Sequence, residues 1–134
     1  MLNKTTIITW ALRLVAVIIM LQTLYFKFTA APESIYIFTT IGLEPVGRIG
    51  IGIIELIASA LLLYTPTVIF GASLAVGLMS GALFFHFTKL GISVQGDGGL
   101  LFYYALIVLF ASIALLILNY KNIIQFLSVI KIKK

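Results

Sequence analysis

Four apolar runs, each about as long as a bilayer is thick, constrain this chain more than any other feature: Ile7 to Lys27, Gly47 to Tyr64, Val68 to Phe87 and Leu100 to Tyr120. A hydrocarbon core about 30 Å thick takes roughly 20 apolar residues as helix. The second run is the shortest and borrows Pro45 and Val46, proline being tolerated where a helix starts. Only Thr65-Pro66-Thr67 separates the second run from the third, so those two helices form a tight hairpin and are antiparallel neighbours. The expectation is one all-α domain over residues 1–134, an integral membrane four-helix bundle with up-down-up-down topology. Composition agrees, with 62% hydrophobic and 10% charged residues against roughly 45–50% and about 25% in soluble domains.

The residue types narrow the chemistry. Cysteine is absent, which excludes disulfide frameworks, CxxC redox motifs, thiolate zinc sites, cysteine-held iron–sulfur clusters and thioether-linked haem. A single histidine excludes a bis-histidine haem within one chain, and no metal site is expected. The nine basic residues are scattered between apolar runs or gathered at the two ends, which suits a membrane rather than a nucleic acid. Lys4, Lys121, Lys131, Lys133 and Lys134 stand on the side of the termini, against Lys27, Arg48 and Lys89 on the other. By the positive-inside rule both termini are expected in the cytoplasm. The first run has the outline of a secretory signal ending at Thr29-Ala30-Ala31, but Pro32 is a poor mature start, and Arg13 and Lys27 interrupt the apolar stretch. It is read as a retained span.

Two segments then face outward. Pro32-Glu33 followed by Ser34 to Phe38 reads as a short interfacial helix begun by proline and an acidic first turn, with Tyr36 and Phe38 suited to the headgroup layer. Gln95-Gly96-Asp97-Gly98-Gly99 ends the second segment, its glycines opening backbone angles closed to other residues. Past Tyr120 the tail is apolar with sparse lysines. It either lies along the inner leaflet after a break or extends span four.

Charges inside the bilayer need a reason, since Arg, Lys or Asp at a helix centre is unfavourable by about 2.5–3.5 kcal/mol on translocon scales. On span two, Arg48, Gly52, Glu55 and Ser59 share one helical face, with Arg48 and Glu55 about 10 Å apart along the axis. On span one, Arg13, Met20 and Lys27 recur every seven residues on one face. Span three closes with His86 and Lys89. Following the chain direction, Lys27, Arg48, Glu55, His86, Lys89 and Asp97 all fall in the outer half, joined by Glu33 and Glu44 from the first loop. Arg13 is the exception, about 9 Å into the cytoplasmic half. Taken singly, Lys27, Arg48 and Lys89 read as snorkelling anchors, and His86 as a helix-end residue bonded to a carbonyl. Glu55 is too short to snorkel and is expected to hold a cation from another helix. The candidate buried cluster is therefore Lys27, Arg48, Glu55 and His86, supported by Arg13, Glu33, Glu44, Lys89 and Asp97. Ser73, Gly77 and Gly81 form a small-xxx-small stripe on span three, suited to packing within the bundle or to a homo-oligomer.

These segments resemble the DoxX family of small four-helix bacterial membrane proteins. The likeness rests on Leu12-Arg13-Leu14, Gln22 to Phe28, Ala31-Pro32-Glu33-Ser34, Glu44-Pro45-Val46-Gly47-Arg48 through Glu55-Leu56, Gly81-Ala82 through His86, and Gly96-Asp97-Gly98-Gly99. It covers nearly the whole chain. The resemblance implies a compact bundle in the bacterial inner membrane, and for some members an association with quinone-linked oxidoreductases or oxidative-stress responses. It also implies a glycine in the turn before the span-one lysine, where this chain has Leu24-Tyr25-Phe26. A relative's catalytic thiol has no counterpart here, and no cofactor-binding motif is identifiable. Three readings follow. The first is an accessory or binding module whose outer cluster holds a small polar or quinone-like headgroup, or docks a membrane redox partner, with Tyr25, Phe26, Phe84, Phe85, Phe102, Tyr103 and Tyr104 available to line an apolar pocket. The second is a subunit of a quinone-linked oxidoreductase in which Glu55 and His86 move protons. The third, a transporter or channel component, is disfavoured by four short spans without inverted repeats or broken helices.

Overall fold

A computed structural model describes residues 3–132, apart from the side chains of Phe126 and Ile132. Within that range the chain forms α1 (Lys4–Phe28), α2 (Pro32–Thr40), α3 (Val46–Leu63), α4 (Val68–Phe85), α5 (Leu100–Leu118) and α6 (Tyr120–Ile132). Thr65–Thr67 makes one 3₁₀ turn between α3 and α4, and His86–Leu90 continues α4 as a π-turn. Four of these segments are long and apolar enough to cross a membrane. The chain is a multi-pass membrane protein.

The local reasons are visible residue by residue. Asn3 caps α1, its side chain accepting the Thr6 N–H at 2.8 Å, which satisfies one of the free donors at a helix start. Pro32 opens α2 with Glu33 in its first turn. The α3–α4 hairpin is fastened by Thr67, whose hydroxyl donates to the Leu61 carbonyl at 2.8 Å. Gly91 ends the π-turn at φ +77°, a conformation open to glycine at little cost.

The four spanning helices form a ring in which α3 lies against α1 and α4, and α5 lies against α4 and α1. The core is built from Ala16, Val17, Met20, Ala58, Leu62, Ala72, Ala75, Val108, Ala111 and Leu115. Small residues set the distances. Gly71 of α4 passes so close to α3 that a Cβ there would sit 2.7 Å from the Leu62 nitrogen and 3.0 Å from the Ala58 oxygen. Gly52 of α3 instead makes room for side chains of α1, where a Cβ would lie 2.8 Å from a Phe28 ring carbon and 3.1 Å from a Leu24 methyl carbon.

Ser73, Gly77 and Gly81 are exposed, and a Cβ at either glycine would meet no atom within 4 Å. Within the bundle, close packing of α4 on α3 uses Gly71 instead.

Two buried arginines tie α1 to α3. Arg13 of α1 is 1% exposed and donates through Nε to the Leu62 carbonyl in the last turn of α3. Arg48 of α3 donates through Nη1 to the Lys27 carbonyl in the last turn of α1. Each helix thus presents a cation to the carbonyl-rich C-terminus of its antiparallel partner, where the macrodipole favours positive charge. Arg13 also bonds Thr65 Oγ1 at 3.3 Å and places its guanidinium 3.6 Å from the Trp10 ring centroid, a cation–π contact. It belongs to the end of the bundle that holds the termini, as its depth in the sequence requires.

The chain breaks at Asn119 before α6. Residues Asn122, Gln125 and Val129 share a groove with Thr65, Pro66, Ile69 and Phe70, so α6 runs beside the α3–α4 turn. The expected break near Tyr120 is thus present, one residue earlier, at Asn119.

Candidate functional site

At the end of the bundle opposite the termini, the helices of the ring part around a cavity of about 300 Å³. α1 supplies Met20, Thr23, Phe26 and Lys27, and α3 supplies Ile51 and Glu55. From α4 and its π-turn come Gly77, Gly81, Phe85 and His86, and from α5 Leu101, Tyr104 and Ala105. Helix α2 lies over this end and adds Glu33, Ser34, Ile37, Phe38 and Ile41. Its Ser34, Phe38 and Ile41 are buried, so α2 is a packed cover.

Glu55 is the polar centre. It is 3% exposed, and the Lys27 ammonium lies 3.0 Å from Oε1 and 3.2 Å from Oε2. Thr23, one turn before Lys27 on α1, approaches Oε2 at 3.4 Å. A cation from a neighbouring helix and a hydroxyl therefore hold the carboxylate, which is the pairing that a charge at this depth needs.

His86 enters through the π-turn. Its Nδ1 is 2.8 Å from the Gly91 carbonyl, and because a carbonyl only accepts, Nδ1 carries the proton. The Gly91 N–H returns a bond to the His86 carbonyl at 2.8 Å, so the loop after the turn clamps the ring. Phe102 packs against it edge-on with centroids 5.6 Å apart. Nε2 makes no hydrogen bond among the described residues, and the ring lines the same cavity as Glu55. The carbonyl-bonded reading and the site reading of His86 thus describe its two nitrogens.

The remaining candidates separate. Arg48 Nε donates to both Glu44 oxygens at 2.9 and 3.0 Å, and the pair braces the α3 start against α1 rather than lining the cavity. Lys89 is exposed on the π-turn. Asp97 organises the loop before α5: Oδ1 accepts from the Val94 and Gly99 N–H groups at 2.9 and 2.8 Å, and Oδ2 from Leu101 at 3.3 Å. Burial raises the Asp97 carboxyl, but these backbone bonds outweigh it and hold its pKa below the ordinary carboxylate range. Glu33 lines the cavity from the exposed edge of α2. Arg13 lies at the other end, where its Nη2 and the hydroxyls of Ser59 and Ser112 are buried without a partner among the described residues.

No protein-family model, curated protein or solved structure matches the chain. The chemistry is therefore read from these residues alone. Among the described residues no three His, Asp or Glu side chains gather to hold a metal ion. The cavity is instead an apolar chamber whose lining includes four residues that carry hydrogen-bonding groups: Lys27, Glu55, His86 and Tyr104.

Two lining residues had a signal in the sequence that the charge pattern alone passes over. Thr23 stands three residues after Met20 and four before Lys27, on the polar face of α1. Tyr104 lies four residues into α5 and is one of the aromatics that the sequence offers as lining for an apolar pocket. The π-turn that aims His86 has no such signal.

Proposed function

We propose that the chain is a DoxX-like binding or accessory module that holds the polar head of a small amphipathic molecule, of quinone-like chemistry, in the outer half of the bacterial inner membrane. The observation that carries this is the cavity of about 300 Å³ with apolar walls and a few convergent polar groups, at the lower end of the size range for ligand pockets. A single substituted ring fits that volume. Lys27 and Tyr104 can donate to ring oxygens, while Glu55 and His86 Nε2 accept from ring hydroxyls. The lysine asymmetry puts this end on the extracytoplasmic side, with both termini in the cytoplasm.

Quinone or lipid extracted from the purified protein, together with its absorbance from about 300 to 700 nm, identifies what the cavity retains. Glu55→Gln keeps size and hydrogen bonding but removes the charge that positions Lys27. It is expected to fold normally and to weaken binding of a benzoquinone by about tenfold, the effect of one charge-assisted hydrogen bond. Undiminished binding by Glu55→Gln, or no ligand retained by the native protein, would count against the reading.

A second reading is favoured by Glu55 and His86 lining the same chamber: a subunit of a quinone-linked oxidoreductase in which they exchange ring protons. It requires a partner that supplies the electrons. A redox chromophore copurifying with the chain separates it from the first.

A further inference from the structure

The cavity reaches the surface of the bundle. Four of its lining residues are exposed: Glu33, Phe26, Gly77 and Gly81. Glu33 stands on the cover helix at the surface. Gly77 stands nine residues into α4, about 13 Å from its start and near the middle of the span. Gly81 is one turn further on. Exposed lining is thus found from the cover helix down to mid-membrane, where it is the Gly77–Gly81 flank of α4.

The two glycines leave this flank open. A Cβ at Gly77 or Gly81 would meet nothing within 4 Å, and glycine inside a helix costs about 1 kcal/mol against alanine, so neither position uses glycine for packing. Ser73 continues the same exposed face one turn away but does not line the cavity. Behind this opening are Glu55, 3% exposed, and His86, 6% exposed, the latter with Nε2 unbonded. On the cover helix, by contrast, Ser34 and Phe38 are buried, as is Ile41 just after it.

We infer that the cavity is loaded sideways from the bilayer through the Gly77–Gly81 flank, and that its ligand is a lipid-dissolved molecule whose polar head sits by Glu55 while a hydrocarbon tail leaves between the glycines. The inference rests on the binding reading above and names the ligand class and its route.

The test uses the full chain in lipid nanodiscs with two probes, a dimethoxy-methyl-benzoquinone without a tail and the same ring with a decyl tail. After correction for partitioning into lipid, the native protein should bind the tailed ring about tenfold tighter or more. Gly81→Leu and Gly77→Leu should each bring the ratio of tailed to tail-less affinity down to about one, and Ser73→Leu, which lies outside the cavity, should leave that ratio as in the native protein. On the native protein, a diazirine in the tail should crosslink to α4 around Gly77 and Gly81, a readout that needs no variant to fold. Glycine variants that leave the tailed ring unaffected, variants that weaken both rings equally, or crosslinks confined to α2 would overturn the lateral route. Binding of the tail-less ring with no tail advantage sinks the route alone; binding of neither probe sinks the underlying reading and the route with it.

Discussion

Glu55 shows how one side chain in an apolar setting dictates the partners around it. A carboxylate 3% exposed between membrane helices must be neutralised by something within reach, and Lys27 at 3.0 Å is that group. Glu55→Ala leaves the ammonium without its partner. The expected loss is on the order of 1–2 kcal/mol, as for interhelical polar contacts in membranes. Glu55→Gln should lose less, because Thr23 and Lys27 still find an oxygen to bond. The double change Lys27→Met with Glu55→Leu should recover most of the alanine loss, since an ion pair replaced by apolar groups of similar volume is often neutral or better. Unfolding in mixed micelles measures all three, and equal stability of Glu55→Ala and the native chain would mean that the pair does not hold α1 to α3. The need for a cation was legible in the sequence because glutamate has no reach. Its identity was less so: Lys27 and Arg48 are both long, both basic and close in depth, and only the fold shows Arg48 turned to Glu44 and to the end of α1.

Among the elements, the spans were readable because length and apolarity suffice for them, and the hairpin because three residues allow no other connection. What escaped the pattern was the use of small residues. The stripe Ser73, Gly77, Gly81 and the residue Gly71 look alike in sequence, yet the first faces outward and the second presses on backbone. Spacing says which residues share a face; it does not say which face meets a neighbour. Gly71→Ala, whose Cβ would come 2.7 Å from a backbone nitrogen of α3, should lose about 1–3 kcal/mol through forced separation of α3 and α4. Gly77→Ala should instead gain up to about 1 kcal/mol of helix stability. Thermal unfolding of the two variants side by side checks this, and the idea fails if they move in the same direction. Asp97 gives a pH counterpart at the start of α5. Its pKa is depressed in the fold, so its contribution is complete above the unfolded value of about 3.9 and fades as pH falls through the native one. Corrected amide-exchange protection at Gly99 and Leu101 should therefore drop on acidification from about pH 6 to about pH 3. Asp97→Asn should show weaker protection at the higher pH and little further loss, whereas identical profiles would remove the carboxylate from the account.

For the whole molecule, the ring of four helices carries two different polar ends. The end that holds the termini has Arg13, and from it and from Arg48 at the opposite end hydrogen bonds cross the α1–α3 interface in opposite directions: Lys27 follows Arg13 by fourteen residues, Leu62 follows Arg48 by fourteen, and both separations are about 21 Å of helix. That equality fixes the register of the antiparallel pair and explains why Arg13, an outlier to any outer cluster, is buried all the same. At the other end the cavity gathers Lys27, Glu55 and His86. Depth in the sequence put these three together, but not the chamber between them, because a void is made by what the backbone does around it: the cover of α2, the π-turn under His86 and the bare flank of α4.

Which compartment that chamber serves depends on how the bundle sits in its membrane, and the charges give the expectation. Lys4, Lys121, Lys131, Lys133 and Lys134 lie toward the termini, against Lys27, Arg48 and Lys89 toward the loops, so the terminal end should stay in the cytoplasm. Because the chain has no cysteine, single substitutions report on topology without background. Thr40→Cys at the end of α2 and Ser128→Cys on α6 are exposed positions that leave every charge in place. An impermeant maleimide added to intact cells should label Thr40→Cys at once and Ser128→Cys only after the membrane is opened. The opposite order would turn the bundle over. The cavity and its lateral mouth would then be unchanged in chemistry, but any protons that Glu55 and His86 exchange would come from the cytoplasm.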